Sequence, residues 1–91
     1  MSTARDVVEI LAKALTDRPE DVRVVETEQK GTTVVELYVG AGELGRVIGR
    51  QGRTAAALRT LAATAGEKEG KTVTLEIRDG AIYATGVEVR A

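Results

Sequence analysis

The 91-residue chain contains no cysteine, histidine, tryptophan or phenylalanine. Without cysteine it has no disulfide framework and no thiolate nucleophile. Without histidine it has no imidazole base, and the commonest metal ligand is missing. Proline occurs once, at Pro19, and serine once, at Ser2. No apolar run approaches the roughly 18 residues of a membrane span. Arg5, Asp6 and Glu9 interrupt the first apolar stretch, which is not the pattern of a secretory leader. The expectation is a cytoplasmic protein with no membrane attachment, no metal, no cofactor, no catalytic residue and no small-molecule substrate.

What remains is aliphatic and charged. Apolar residues make up 43% of the chain, but thirteen of them are alanine. That supports one small domain with thin helices on a small sheet. The formal net charge is −1, so overall charge does not point to a polyanion. Its distribution does. Residues 44–61 carry Arg46, Arg50, Arg53 and Arg59 and no acid, a local +4 on an otherwise acidic chain. Such a patch is a directed field.

Periodicity divides the chain into six elements and an extension. Val7, Val8, Leu11, Ala14 and Leu15 recur at helical spacing, with Ile10 beside them, and predict a first helix that Ser2 or Thr3 caps and Pro19 ends. Residues 22–29 read as a strand, Lys30-Gly31 as a turn, and residues 32–39 as a second strand with Val35, Leu37 and Val39 on one side. These form an antiparallel hairpin. A short helix follows with Leu44, Val47 and Ile48. A longer one spans 53–65, with Ala57, Leu58, Leu61, Ala62 and Ala65 as its stripe and Gly66 and Gly70 at its end. Residues 72–78 alternate as a third strand. Asp79-Gly80 then signals a two-residue hairpin with positive φ at both positions, returning residues 81–89 as an edge strand with a bulge at Gly86. The fold class is α+β, in the order α-β-β-α-α-β. Helices cover one face of a small mixed sheet, and the second and third strands are parallel neighbours across a helical crossover. Residues 1–79 form the domain and 80–91 an extension of it.

Two glycine motifs stand close together. Gly40-Ala41-Gly42-Glu43-Leu44-Gly45 matches G-x-G-x-x-G, yet the acidic residue due about 20 positions later falls at a helix end rather than after a second strand. Gly40 and Gly42 are therefore read as a strand-to-helix turn. In Gly49-Arg50-Gln51-Gly52, two glycines bracket two long polar side chains between helices. Glycine allows a sharp turn and close approach by a partner's backbone. The following helix N-terminus favours anions, and Arg46, Arg50 and Arg53 surround it.

The segment from Gly45 to Ala55, GRVIGRQGRTA, resembles the signature of KH domains, and the element order resembles their type II arrangement. The resemblance runs over residues 2–79 and is nearest to the small single-domain bacterial KhpA (YlqC) family; Arg59-Thr60-Leu61 and Asp17-Arg18-Pro19-Glu20 resemble it too. It implies a non-enzymatic RNA-binding protein, with a role as an RNA chaperone, that clamps about four unpaired nucleotides. Carried onto this chain, Gly49, Arg50, Gln51 and Gly52 hold phosphates, with Arg46 and Arg53 beside them. Val47, Ile48, Ala55 and Ala56 form the apolar groove, closed by the third strand. Many KH domains have a branched aliphatic at the place of Ala55, so the groove is expected to be shallow. The resemblance also implies self-association, or pairing with a larger Jag (KhpB)-type KH protein. The candidate surfaces are the short helix at 44–48 and a sheet edge.

A scaffold that dimerises or docks with little direct RNA binding is the alternative. A helix-turn-helix reader of DNA is disfavoured because the alanine-rich helix offers few side chains to base edges. Tyr38 and Tyr83, the only aromatics, suit half-buried strand positions with exposed hydroxyls, not the stacking platforms of RRM or OB-fold readers. Glu26, Glu28, Glu67 and Glu69 are read as solvated carboxylates, and Ser2 as lying at a frayed terminus.

Overall fold

The computed structural model describes residues 2–80. Helix α1 spans Thr3–Leu15 and a single 3-10 turn Pro19–Asp21; strands β1, Arg23–Gln29, and β2, Thr32–Val39, follow. Helix α2 is Leu44–Ile48, a second 3-10 turn is Arg50–Gly52, α3 is Arg53–Lys68 and β3 is Thr72–Asp79. The sheet order is β1-β2-β3, with β1 antiparallel and β3 parallel to β2. This is the expected α-β-β-α-α-β order on a mixed sheet. Gln29 pairs with Thr32 across a two-residue turn. Lys30 and Gly31 both have positive φ, 52° and 82°, the twist that two-residue hairpins require.

Register decides which sheet face is apolar. Val24, Val35, Leu37, Val73, Leu75 and Ile77 share one face, on which α1 and α3 pack to form the core. Val25, Val34, Glu36, Tyr38, Thr74, Glu76 and Arg78 share the other. Tyr38 is buried, and its hydroxyl donates to Glu36 at 3.3 Å. It is therefore buried rather than half-buried as expected; Tyr83 lies outside the described residues.

Both long helices bury the centre of the expected stripe but not its edges. On α1 the buried residues are Ala4, Val8 and Ala12, with Val7 and Leu11 partly buried, while Ile10 is 68% and Leu15 40% exposed. On α3 they are Ala55, Leu58, Ala62, Ala65 and Gly66; Ala57 is exposed and Leu61 is 47% exposed. The innermost positions are small because each helix must approach the sheet and the other helix closely. Assigning faces by side-chain size therefore finds Val8, Leu58, Ala62 and Ala65 but misses Ala4 and Ala12 and adds Leu15 and Leu61. Gly66 is part of this packing rather than a helix stop, since a Cβ there would overlap Val73. The helix ends instead at Gly70, which has φ 69°. The Gly70 N–H donates to the Glu67 carbonyl and the Lys71 N–H to that of Gly66, a Schellman cap.

The N-terminus of α1 is fastened. The Ser2 hydroxyl accepts from the Arg5 N–H, and its own N–H and O–H donate to Glu26 at 3.0 and 2.5 Å. The Thr3 N–H and hydroxyl donate to Glu69 at 3.1 and 2.8 Å. These bonds hold both carboxyls below the usual carboxylate range, led by the Ser2 hydroxyl for Glu26 and the Thr3 hydroxyl for Glu69. Ser2, 1% exposed, is thus no frayed end, and Glu26 and Glu69 are not merely solvated.

At the other terminus, neither Asp79 nor Gly80 has positive φ, so the hairpin turn expected at this pair is not formed as a type I′ turn. Gly80 donates its N–H to the Val39 carbonyl at 2.6 Å, and a Cβ there would overlap that oxygen. The edge strand expected from residues 81–89, with its bulge at Gly86, lies outside the described residues.

Candidate nucleic-acid interface

The second glycine motif forms a loop that any other residue type would resist. Gly49 closes α2 by donating to the Gly45 carbonyl at 2.9 Å, with φ 76° and ψ 174°, a region open essentially to glycine alone. A Cβ at this position would overlap the Thr54 side chain, 2.7 Å from its Cβ. The Gly52 N–H donates to the Gly49 carbonyl at 3.1 Å, closing the turn. Gln51 and Gly52 are both left-handed, at φ 57° and 72°. For Gln51 that costs about 1–2 kcal/mol; its side-chain oxygen accepts from the Arg53 guanidinium at 2.8 Å. Helix α3 starts directly from Gly52 with no side-chain cap, leaving its positive end to whatever lies over the loop.

The residues singled out in the sequence separate by depth. Arg50, Gln51, Arg53 and Ala56 are exposed; Ile48, Gly49 and Gly52 are half-buried. Val47 has no exposed surface and Ala55 only 2%. The wall expected from these two is therefore core beneath the loop, and the apolar surface beside it is Ile48 and Ala56. Among the described residues Arg50 has no ion-pair partner within 4.0 Å, and Arg59 donates to the Leu75 carbonyl at 3.4 Å.

Arg46 differs from its neighbours. Its guanidinium lies 2.6 Å from Asp17 Oδ2, and its Nε 3.4 Å from Glu43 Oε2. Glu43, 8% exposed, precedes α2 and accepts from the Thr16 hydroxyl at 2.5 Å and the Asp17 N–H at 2.6 Å. The Thr16 hydroxyl first, then the Asp17 N–H, hold its carboxyl below the usual carboxylate range despite burial. This cluster also ends α1. Thr16 turns extended, at φ −88° and ψ 153°, and Pro19 opens the 3-10 turn instead of stopping the helix. Sequence reasoning missed Thr16, Asp17 and Glu43. The Glu43–Arg46 spacing of three was visible, but the burial of Glu43 against the end of α1 was not.

A family model described as "KhpA/KhpB, KH domain" matches residues 5–77. The chain belongs to the KhpA/KhpB KH-domain family. An RNA-binding protein KhpA from Aquifex aeolicus is 53% identical over 77 residues, covering 85% of this chain and 98% of that protein. One from Clostridium perfringens is 47% identical over 73 residues, covering 80% and 97%. A crystal structure of Aquifex aeolicus Era bound to GDP and aluminium fluoride superposes with a TM-score of 0.57 at 19% identity. It covers 84% of this chain but only 29% of that longer one, and the likeness concerns the fold. The family consists of KH-domain RNA-binding proteins and is not an enzyme family, and no helix among the described residues is long and apolar enough to cross a membrane.

Proposed function

We propose that the protein binds short single-stranded RNA, with the loop at residues 49–52 on the sugar-phosphate backbone. The observation that carries this is the loop's geometry: two exposed polar side chains held between positive-φ glycines at the uncapped start of a sixteen-residue helix. Phosphates would meet the helix dipole, Arg50 and Arg53 together. Gly49 and Gly52 hold the loop's shape, Gln51 flanks Arg50, and Ile48 and Ala56 offer apolar surface to the bases. Val47 and Ala55 support that surface from below. The relatives' name, RNA-binding protein KhpA, supports the same reading. A backbone clamp with aliphatic neighbours gives low sequence specificity, which suits a chaperone-like role.

Self-association, or pairing with a KhpB-type protein, belongs to the same proposal, because one family model spans both proteins. Among the described residues Ile10 on α1 and Leu61 on α3 are the large apolar side chains left most exposed, so they join the short helix and the sheet edge as candidate surfaces. Linking two weak sites raises avidity without new contacts. The deciding experiment is titration of a fluorescent unpaired RNA of about eight nucleotides, against the matching duplex, into wild type and an Arg50→Asp/Gln51→Asp variant. Binding of the single strand by wild type alone supports the reading. Equal binding by both proteins moves the site elsewhere and favours the scaffold alternative.

A further inference from the structure

Helix α2 is one turn and a residue long, too short to hold its own shape or pose. It enters from a turn containing Gly40 and Gly42 and leaves through Gly49. Its apolar anchors, Val47 in full and Leu44 in part, lie on one side and reach one core. Anchors on one side leave the helix free to tilt about that contact. The opposing hold comes from Glu43, which takes two bonds from the end of α1, and from Arg46, spanning Glu43 and Asp17. Arg46 is one helical turn from Gly49, so a tilt of α2 displaces the loop directly.

We propose that Glu43 is a positioning residue for the loop at 49–52: with Asp17 it fixes Arg46, and α2 with it, against the end of α1. Arg46 is then a brace and not a phosphate contact, although it belongs to the same cationic run as Arg50 and Arg53. An arginine already facing two carboxylates adds little net attraction for a third anion. The buried member carries most of the effect, because exposed ion pairs contribute little by themselves while an acceptor for two groups just past α1 is costly to remove.

The RNA part of this inference rests on the function proposed above, and the test separates the two. RNA affinity is measured against salt for wild type, Arg46→Gln, Arg50→Gln, Glu43→Ala, Glu43→Gln and Thr16→Val. Amide shifts of Arg50, Gln51 and Gly52 are recorded in the free proteins. Arg50→Gln is expected to reduce the log–log salt slope by about 0.7, one single-strand phosphate contact. Arg46→Gln and Glu43→Ala should leave the slope unchanged, weaken binding by about three- to tenfold at every salt concentration, and move the loop amides. Glu43→Gln keeps an oxygen for Thr16 and Asp17 and should restore most of the affinity. If Glu43→Ala does not fold, Arg46→Gln and Thr16→Val carry the test, since the first removes the ion pairs to Asp17 and Glu43 and the second the hydroxyl bond to Glu43. The proposal is overturned if Arg46→Gln lowers the slope as Arg50→Gln does, or if the brace variants leave the loop amides unmoved. If Arg50→Gln changes neither affinity nor slope, the RNA site is wrong, and the amide shifts still judge the brace.

Discussion

The two glycine turns that flank α2 have similar compositions and opposite designs. The first, Gly40 to Glu43, closes inward. A Cβ on Gly40 would lie 2.9 Å from Asp21 Oδ2, and Glu43 donates its N–H to Gly40 while its carboxylate is buried against α1. The second, Gly49 to Gly52, opens outward, with Arg50 and Gln51 exposed and three of its four residues at positive φ. A glycine pair therefore does not mark a ligand site. The side chains between the glycines, and whether the fold consumes them, decide it. Ala41 and Gly42 leave the first turn nothing to present, and its one charged residue is spent on α1.

Gly49→Ala should break the second turn most severely. The left-handed, extended backbone alone costs a side chain about 1–3 kcal/mol, and overlap with Thr54 adds to that. Thermal melting should show a clear loss of stability, and titration a loss of RNA binding. A variant that melts like the parent would mean that the loop rearranges without penalty.

Arg50→Asp with Gln51→Asp leaves the turn's shape and weakens its field, taking the charge of residues 44–61 from +4 to +1. Both positions are exposed, so stability should move by no more than about 0.5 kcal/mol. RNA affinity should disappear, because both new charges lie where phosphates are proposed. Unchanged affinity and salt slope in a folded double variant would remove the loop from the binding site.

Acid should act on the first turn before the second. Glu43, Glu26 and Glu69 all have folded pKa values below the ordinary 4.5. Their contribution is fully present above the unfolded value and is lost as pH falls through the lowered folded values. The loop at 49–52 contains no carboxylate. Urea midpoints measured from pH 6 to pH 3 should fall below about pH 4.5, and less steeply in Glu43→Gln. A midpoint flat over that range would show that these bonds do not stabilise the folded state.

Strand order, the parallel crossover and the position of the loop were legible because each depends on local pattern: period-two alternation, glycine spacing, arginine clustering. The helix faces were legible at their centres, where Val8, Leu58, Ala62 and Ala65 are buried as expected, but not at their edges. Ala4 and Ala12 are buried because close approach selects for small side chains, whereas Ile10 and Leu61 look like core by size and face outward. The loop was legible in position but not in depth. Val47 and Ala55 belong to the motif by spacing, yet burial removes them from the surface, while Glu43 and Thr16 enter through a contact between residues 27 apart. The partners of Glu26 and of the exposed Glu69 were missed for the same reason: Ser2 and Thr3 are 24 and 66 residues away.

The sharpest test of the comparison has the smallest effect. Gly42 and Gly52 have similar left-handed backbones, at φ 82° and 72°, and neither has an atom within 4 Å of a built Cβ. Alanine at either position therefore carries the same strain and no clash, about 1–2 kcal/mol each. If the two turns differed only in how they hold the chain, both variants would lose stability alike and bind RNA alike. The proposed clamp makes a different demand. At Gly52 the open space is where the sugar-phosphate chain is proposed to approach the start of α3, so a methyl group there obstructs it. At Gly42 the open space faces no proposed ligand. Gly42→Ala and Gly52→Ala should melt within about 1 kcal/mol of each other, since each carries strain of about 1–2 kcal/mol. Only Gly52→Ala should also weaken RNA binding, with its salt slope unchanged because no charge has been removed. Equal affinities in the two variants would mean that no backbone approaches Gly52, and the clamp would have to rest on Arg50 and Arg53 alone.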